Sequence, residues 1–304
     1  MIVAPKAHST RPLSDPLPER SHDCLLKLKN ILVATDFSSA SQMGTLCATS
    51  VARRHQAKLY IAHIVSSSSE KAVMEGWRIG QAETISQLLA DRLDGIEYEL
   101  VVDQGEVWPA LSQMIADKSV GLVVLGTRGR TGVRKFMLGS VAETIFRQSI
   151  CPVITVGPGV VTGQTQGPQR ILAATGFSPH SQKGIGFAIK LAKDLNATLA
   201  LVNVVTAPEH SSSSKREAVK RQRLQQLHTL IPADIQEELK PELIVEFGVV
   251  PERIVAAANE WAATTIILGL HDVEEASRRD TTWAKAYQII CEARCPVLTL
   301  RGTD

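Results

Sequence analysis

Apolar positions along the chain recur as short runs separated by longer segments of mixed character. The runs are rich in Val, Ile and Leu and show almost no apolar–polar alternation, which is typical of strands covered on both faces. In the first half of the chain the strands are predicted near 30–35, 58–65, 96–103, 121–125 and 152–156. The intervening segments predict helices at 39–55, 69–92, 106–118 and 140–149.

This alternation of strand and helix predicts an α/β fold with a doubly wound, five-stranded parallel sheet. The expected strand order is 3-2-1-4-5. The strand order reverses its direction between strands 1 and 4 in such a sheet, and ligands bind at that switch point.

The whole pattern occurs twice. ILVATDFSSAS at 31–41 returns as ILAATGFSPHS at 171–181, and CPVITV at 151–156 returns as CPVLTL at 295–300. The offset drifts only from 140 to 144 residues, so an entire domain is duplicated. We therefore predict a disordered leader at 1–28, a first domain at 29–157, a linker at 158–169 and a second domain at 170–304.

The last strand of each copy is apolar and β-rich, which suits edge-to-edge pairing of the two domains into an intramolecular pseudo-dimer. Whether whole chains then form a homodimer stays open.

Composition excludes few functions. The net charge of +2 gives no argument for nucleic acid or a membrane surface, and no apolar run reaches membrane-spanning length. The basic stretch at 215–223 is interpreted as a solvated helix face, because no aromatic side chains for base stacking are interleaved. The N-terminus lacks a signal-peptide core and the five cysteines are irregularly spaced, so we expect a reducing, cytoplasmic location.

One glycine-rich segment carries candidate chemistry. It runs from Gly126 through Gly129 and, nine residues later, to Gly139 and Ser140. Glycine lets main-chain amides approach a ligand closely, and a helix opening at Ser140 would offer unpaired N–H groups to an anion. Neither a Walker A loop nor a dinucleotide fingerprint is present. From the residues alone, a phosphate cradle and a plain glycine-rich crossover capped by Ser140 stay equally open.

The spacing Gly126-x2-Gly129-x9-Gly139-Ser140 resembles the ATP-binding signature of the universal stress protein family. ATDFS at 34–38, AHIV at 62–65 and CPVITV at 151–156 are also similar to that family. The resemblance implies the adenine nucleotide alpha hydrolase-like fold and ATP, with or without Mg, as ligand. The residues implied at the nucleotide are Ala34, Thr35, Asp36, Ile64, Leu125, Gly126, Gly129, Gly139, Ser140, Val141 and Ala142.

Within that set, Asp36 would meet the adenosine and Ile64 the adenine, although Asp36 could instead start a turn or cap the first helix. Family members often carry a hydroxyl at the position of Ala142, so one phosphate contact is expected to be missing. His63 is interpreted as a hydrogen-bonded structural residue.

The second copy has lost the motif. Gly176 stands at the position of Asp36, and after Gly269 no glycine follows as far as Gln288. We expect no ATP there and a role as pseudo-dimer partner; the alternative is that this copy binds something else or regulates the first.

The resemblance thus implies a stress-response or signalling module that binds ATP in its first domain. The alternatives are a nucleotide-free interaction scaffold and a weak ATP-hydrolysing or adenylyl-transferring enzyme. No catalytic or metal-binding residue is evident.

Overall fold

The computed structural model describes residues 28–65, 93–127, 139–161, 169–206, 212–271 and 281–301. Within these ranges it contains ten strands and eight helices. The strands are β1 (Asn30–Ala34), β2 (Lys58–Val65), β3 (Tyr98–Gln104), β4 (Leu122–Gly126), β5 (Val153–Val156), β6 (Arg170–Ala174), β7 (Thr198–Val205), β8 (Glu242–Phe247), β9 (Thr265–Leu270) and β10 (Val297–Arg301). The helices are α1 (Ser39–His55), α2 (Val107–Asp117), α3 (Ser140–Gln148), α4 (Pro179–Leu195), α5 (Ser213–Thr229), α6 (Ala233–Leu239), α7 (Val250–Glu260) and α8 (Thr281–Glu292).

All ten strands form one sheet, in the order β3-β2-β1-β4-β5-β10-β9-β6-β7-β8. Each half has the predicted 3-2-1-4-5 order with parallel pairing throughout. The fold class is therefore confirmed, and the strand ends fall within two residues of the predicted ones. The predicted leader at 1–28 and the helix at 69–92 lie almost wholly outside the described residues.

The two halves meet through the antiparallel pair β5–β10, which confirms the predicted edge-to-edge pairing. Ile154 lies opposite Leu298, its own counterpart at the offset of 144 residues, so a pseudo-two-fold axis passes between them. Because this pair is antiparallel, the carboxyl end of β5 lies beside the amino end of β10. The carboxyl edges of the two halves therefore do not merge into one continuous crevice.

The first helix of each half begins and ends with the same local chemistry. Ser38 caps α1 and Ser178 caps α4, each accepting a hydrogen bond from the amide three residues later. Both helices end at a residue in the left-handed region, Gln56 with φ 51° and Asn196 with φ 50°. Local sequence therefore fixes the length of these helices at 17 residues in both halves.

The core continues across the junction on both faces of the sheet. On one face α1 and α4 meet, and Arg54 donates to the carbonyl of Leu195 at 2.7 Å. On the other face Phe146 of α3 packs edge-on against Trp283 of α8, with 4.9 Å between ring centroids. The segment after β5 also lies tightly against α8, because a Cβ added at Gly157 would clash with the carbonyl of Ile290. The halves therefore form one packed body.

Candidate functional site

The loop after β1 is held by its own hydroxyl and carboxylate groups. Asp36 Oδ1 accepts hydrogen bonds from Ser38 N at 3.1 Å and from Ser38 Oγ at 2.6 Å. Ser38 in turn caps α1 by accepting from Ser41 N. The turn role that the sequence left open for Asp36 is therefore present, whereas the cap belongs to Ser38.

Phe37, the next residue in this loop, adopts φ 64°, a left-handed conformation that is strained for a side chain with a Cβ. Its amide donates to Thr35 Oγ1 at 3.1 Å, and its ring packs at 4.6 Å on the imidazole of His63. These contacts fix the loop at the carboxyl edge of the sheet.

His63 ties β2 to this loop. Its Nδ1 lies 2.6 Å from the carbonyl oxygen of Thr35, and because a carbonyl only accepts, Nδ1 is the donor. The side chain is 8% exposed, so the hydrogen bond is shielded from water. His63 is therefore a hydrogen-bonded structural residue, as the sequence predicted.

The end of β4 lies very close to α1. A Cβ added at Gly44 of α1 would come within 2.9 Å of Gly126 N, and one added at Gly184 of α4 would come within 2.9 Å of Gly269 N. At Gly269 itself, a Cβ would clash with the carbonyl of His180 in the first turn of α4. Gly126 is a strand residue, like Gly269 in the second half. Helix packing thus explains the glycine at 269, and the same close approach of a helix is present at Gly126.

The glycine motif is closed by one hydrogen bond. Gly139 N donates to the carbonyl of Thr127 at 2.8 Å, so the chain returns to the end of β4 before α3 begins. Gly139 is the N-cap of α3, with φ −61° and ψ 150° and no side-chain cap. The first intrahelical hydrogen bond is donated by Glu143 N to the carbonyl of Gly139. The amides of the first turn before Glu143 therefore have no acceptor within the helix and point out of its amino end, which lies beside β4.

The structure places most of the predicted nucleotide residues at this carboxyl edge. Ala34 pairs with Leu125 across β1 and β4, and Ile64 packs into the same apolar cluster near the end of β2. Val141 is exposed, whereas the Ala142 methyl is buried in the core. That burial leaves Ala142 only its amide to offer.

Ser140 is the first helical residue and Gly139 is the cap, so the capping role that the sequence left open for Ser140 is taken by Gly139. Gly129 and the basic side chains of the loop lie outside the described residues.

The corresponding edge of the second half has the same loop after its first strand but lacks the carboxylate of Asp36. Thr175, Phe177 and Ser181 repeat the hydrogen bonds of the first loop, and Phe177 again has a positive φ, of 65°. Asn203 takes the place of His63 and donates through Nδ2 to the carbonyl of Thr175 at 2.8 Å. Gly176 supplies no carboxylate. This half therefore shares the scaffold of the first loop without its ionisable group.

Sequence reasoning overlooked Thr127. Its side chain is 2% exposed, and its hydroxyl finds no hydrogen-bond partner among the described residues. The counterpart in the second copy is the apolar Leu270, directly after Gly269. That polar-for-apolar difference at an aligned position was the signal that could have drawn attention to it.

The described residues include no group of three or more His, Cys, Asp or Glu side chains placed to hold a metal ion. Nor does any described helix combine the length and apolarity needed to cross a membrane.

Comparison with known proteins identifies the two halves independently. Residues 27–157 and 168–301 each match the model of the universal stress protein family. A universal stress protein of Bacillus subtilis is 29% identical over 147 residues, covering 41% of this chain and 97% of that protein. Another, of Methanocaldococcus jannaschii, is 30% identical over 143 residues, covering 42% of this chain and 81% of that protein.

Solved structures match the paired arrangement. A universal stress protein from Archaeoglobus fulgidus superposes with a TM-score of 0.65 at 20% identity, covering 90% of this chain and 99% of that one. A putative universal stress protein from Pseudomonas aeruginosa gives a TM-score of 0.58 at 16% identity, covering 91% of this chain and 95% of that one. The fold over about nine-tenths of the chain is thus shared with these proteins. The chain belongs to the universal stress protein family, with one family domain in each half.

Proposed function

We propose that the first domain binds ATP at the carboxyl edge of β1, β2 and β4, and that the second domain serves as its built-in dimer partner in a stress-response or signalling role. The observation that carries the proposal is the 2.8 Å hydrogen bond from Gly139 N to the carbonyl of Thr127. It holds the amino end of α3 next to the strand at which the glycine motif starts. First-turn amides and the helix dipole then face the position where an anion would sit.

The remaining parts fit a nucleotide. Apolar side chains of Ala34, Ile64 and Leu125 share one face of the sheet and can pack against a base. The Asp36 carboxylate lies in the adjoining loop, where it can accept hydrogen bonds from ribose hydroxyls. The phosphates would bind to the amides of Ser140, Val141 and Ala142. Glu143 in the same turn is neutralised by Arg147 at 3.0 Å, so it opposes the phosphates less.

The decisive experiment is isothermal titration calorimetry of the full chain with ATP, ADP, AMP and cyclic AMP. We expect a single ATP site per chain. Gly139→Val should weaken ATP binding about tenfold or more, because its side chain would crowd the phosphate away from the first-turn amides of α3, and each charge-assisted hydrogen bond to phosphate is worth roughly 1.5–3 kcal/mol. The backbone of Gly139 lies in the extended region that valine also adopts, so circular dichroism should stay unchanged.

The matched control is Gly176→Val in the second half, where an added Cβ meets no atom within 4 Å. It should leave ATP affinity unaltered. Equal affinity in wild type and Gly139→Val would refute this placement of the phosphates, and absence of heat with every nucleotide would favour a scaffold. ADP release that disappears in Asp36→Ala would instead identify an enzyme.

A further inference from the structure

The second domain carries a strongly cationic helix surface that the nucleotide proposal does not use. It lies on α5 and consists of Lys215, Arg216, Lys220, Arg221 and Arg223, here called the α5 cationic surface. Glu217 is the only acidic residue in the helix. Five positive charges within nine residues contrast with the near-neutral chain as a whole, whose net charge is +2.

The amino-terminal half of α5 stands clear of the domain. From Ser212 to Ala218 every residue is exposed, and only Leu227, in the last turns, is buried. A helix that is polar on all sides gains little from packing, and short unpacked helices are marginal in water. Burial in this domain therefore does not account for the composition of this half of α5.

The cations of this surface also lack acidic partners. None of the five forms an ion pair with a described carboxylate, whereas Lys193 pairs with Glu238 at 2.7 Å and Lys58 with Glu99 at 3.1 Å. Arg216 and Lys220 are four residues apart and so repel each other on one helix face. An anionic partner would remove that repulsion.

Two guanidinium groups of the surface are held against aromatic rings. Arg223 lies 5.3 Å from the ring centre of Phe177, and Arg216 lies 5.7 Å from that of Phe247. At the exposed Arg216, stacking orients the planar group and leaves most of its N–H donors available, whereas Arg223 Nη1 already donates to Gln226 Oε1 at 2.8 Å. A guanidinium held in this way is suited to the two oxygens of a carboxylate.

We propose that the α5 cationic surface is a docking site for an acidic, extended segment of a partner protein. Arg216 and Lys220 are about 6 Å apart along the helix axis, close to the roughly 6.6 Å between alternate residues of an extended peptide. Carboxylates on alternate residues of such a segment can therefore meet successive cations. Nucleic acid fits less well because the exposed part of α5 has no aromatic side chain on which bases could stack. A membrane fits less well because the helix has no apolar face to insert.

The proposal is tested by fluorescence anisotropy with the full-length protein and a fluorescein-labelled peptide that alternates glutamate and serine. We expect binding that weakens as salt rises. The variant Lys215→Gln/Lys220→Gln/Arg221→Gln should bind about tenfold more weakly, since glutamine preserves the helix and removes three exposed charges. Arg216→Lys keeps the charge but loses the planar donor pair, and it should lower the affinity by a smaller factor.

The matched control removes three exposed cations elsewhere, Lys29→Gln/Lys285→Gln/Arg294→Gln, and so changes the net charge equally. It should bind the peptide as wild type does. Equal losses in both triple variants would reduce the effect to net charge and overturn the proposal. Tighter binding of wild type to duplex DNA or to phosphatidylserine vesicles than to the peptide would overturn it as well.

Discussion

The carboxyl edges of the two halves are built on the same scaffold but differ where a ligand would be held. Both keep the Thr–x–Phe–Ser loop with its positive φ, the serine cap and the tight glycine at the end of the fourth strand. They differ at Asp36 against Gly176, His63 against Asn203 and Thr127 against Leu270.

The helix that follows the fourth strand differs too. Cys151 and Cys295 set the local offset at 144 residues, so Ser140 aligns with Ala284. Helix α8 is already helical at Thr281, three residues before that position, whereas α3 begins at Ser140 after the cap at Gly139. Duplicated domains thus separate two kinds of residue: those kept in both copies build the edge, and those kept in one copy are the candidates for function.

The largest effect should come from a glycine that both halves share. Gly269→Ala would place a Cβ against the carbonyl of His180, and we expect a loss of about 3 kcal/mol in the free energy of unfolding. Gly44→Ala, whose Cβ would come within 2.9 Å of Gly126 N, should destabilise the first half as well. Urea denaturation measures both, with Gly176→Ala as a control within about 0.5 kcal/mol of wild type, since its Cβ meets open space. A free energy of unfolding for Gly269→Ala equal to that of wild type would contradict the steric explanation.

A smaller effect is expected where the two halves use different residues for the same bond. His63→Leu removes the donor to the carbonyl of Thr35 and should cost about 2 kcal/mol, because that carbonyl is shielded from water. His63→Asn copies the second half, where Asn203 makes the equivalent bond at 2.8 Å, and should be nearly neutral. If both variants lost the same stability in urea, the ring contact with Phe37 would be the more important role of His63.

Folding stability should depend weakly on pH through His55, which lies at the contact between the halves with Nδ1 3.5 Å from the Asp194 carboxylate. Burial lowers the pKa of His55 below its usual 6.5; nearby Asp194 raises it and Arg54 lowers it further. The unfolded chain therefore binds this proton at a higher pH than the folded chain, so stability should fall as pH drops below 6.5. In thermal scans at successive pH values, His55→Gln should show a shallower decline than wild type. The same decline in both would exclude His55 as its source.

The smallest change is expected from restoring a single residue. Gly176→Asp gives the second half the carboxylate of the first. Among the described residues before α8, however, none is a glycine placed like Gly139 to close the turn against the end of the fourth strand. Calorimetry should still find a single ATP site per chain. A second site would mean that the carboxylate, rather than the amides of α3, governs binding.

Local patterns carried most of the fold prediction. Unbroken Val and Ile runs give strands, Ser38 and Ser178 start helices, and the exact repeat of order in two copies gives the tandem architecture. These signals act within a few residues, so they can be read from the chain directly. The site was predicted less fully because Gly126 has two explanations in sequence, a ligand contact and close packing, and only the tertiary structure shows how closely α1 approaches it.

What the sequence by itself determined, then, is the strand order, the duplication, the pairing of the last strands and the position of the glycine motif. Only the tertiary structure decided that Gly139 rather than Ser140 caps α3, that Thr127 is buried beside it, and that Phe146 packs on Trp283 across the junction. The physical reason is that these features depend on atoms brought together from distant parts of the chain, and their distances follow from packing rather than from spacing along the sequence.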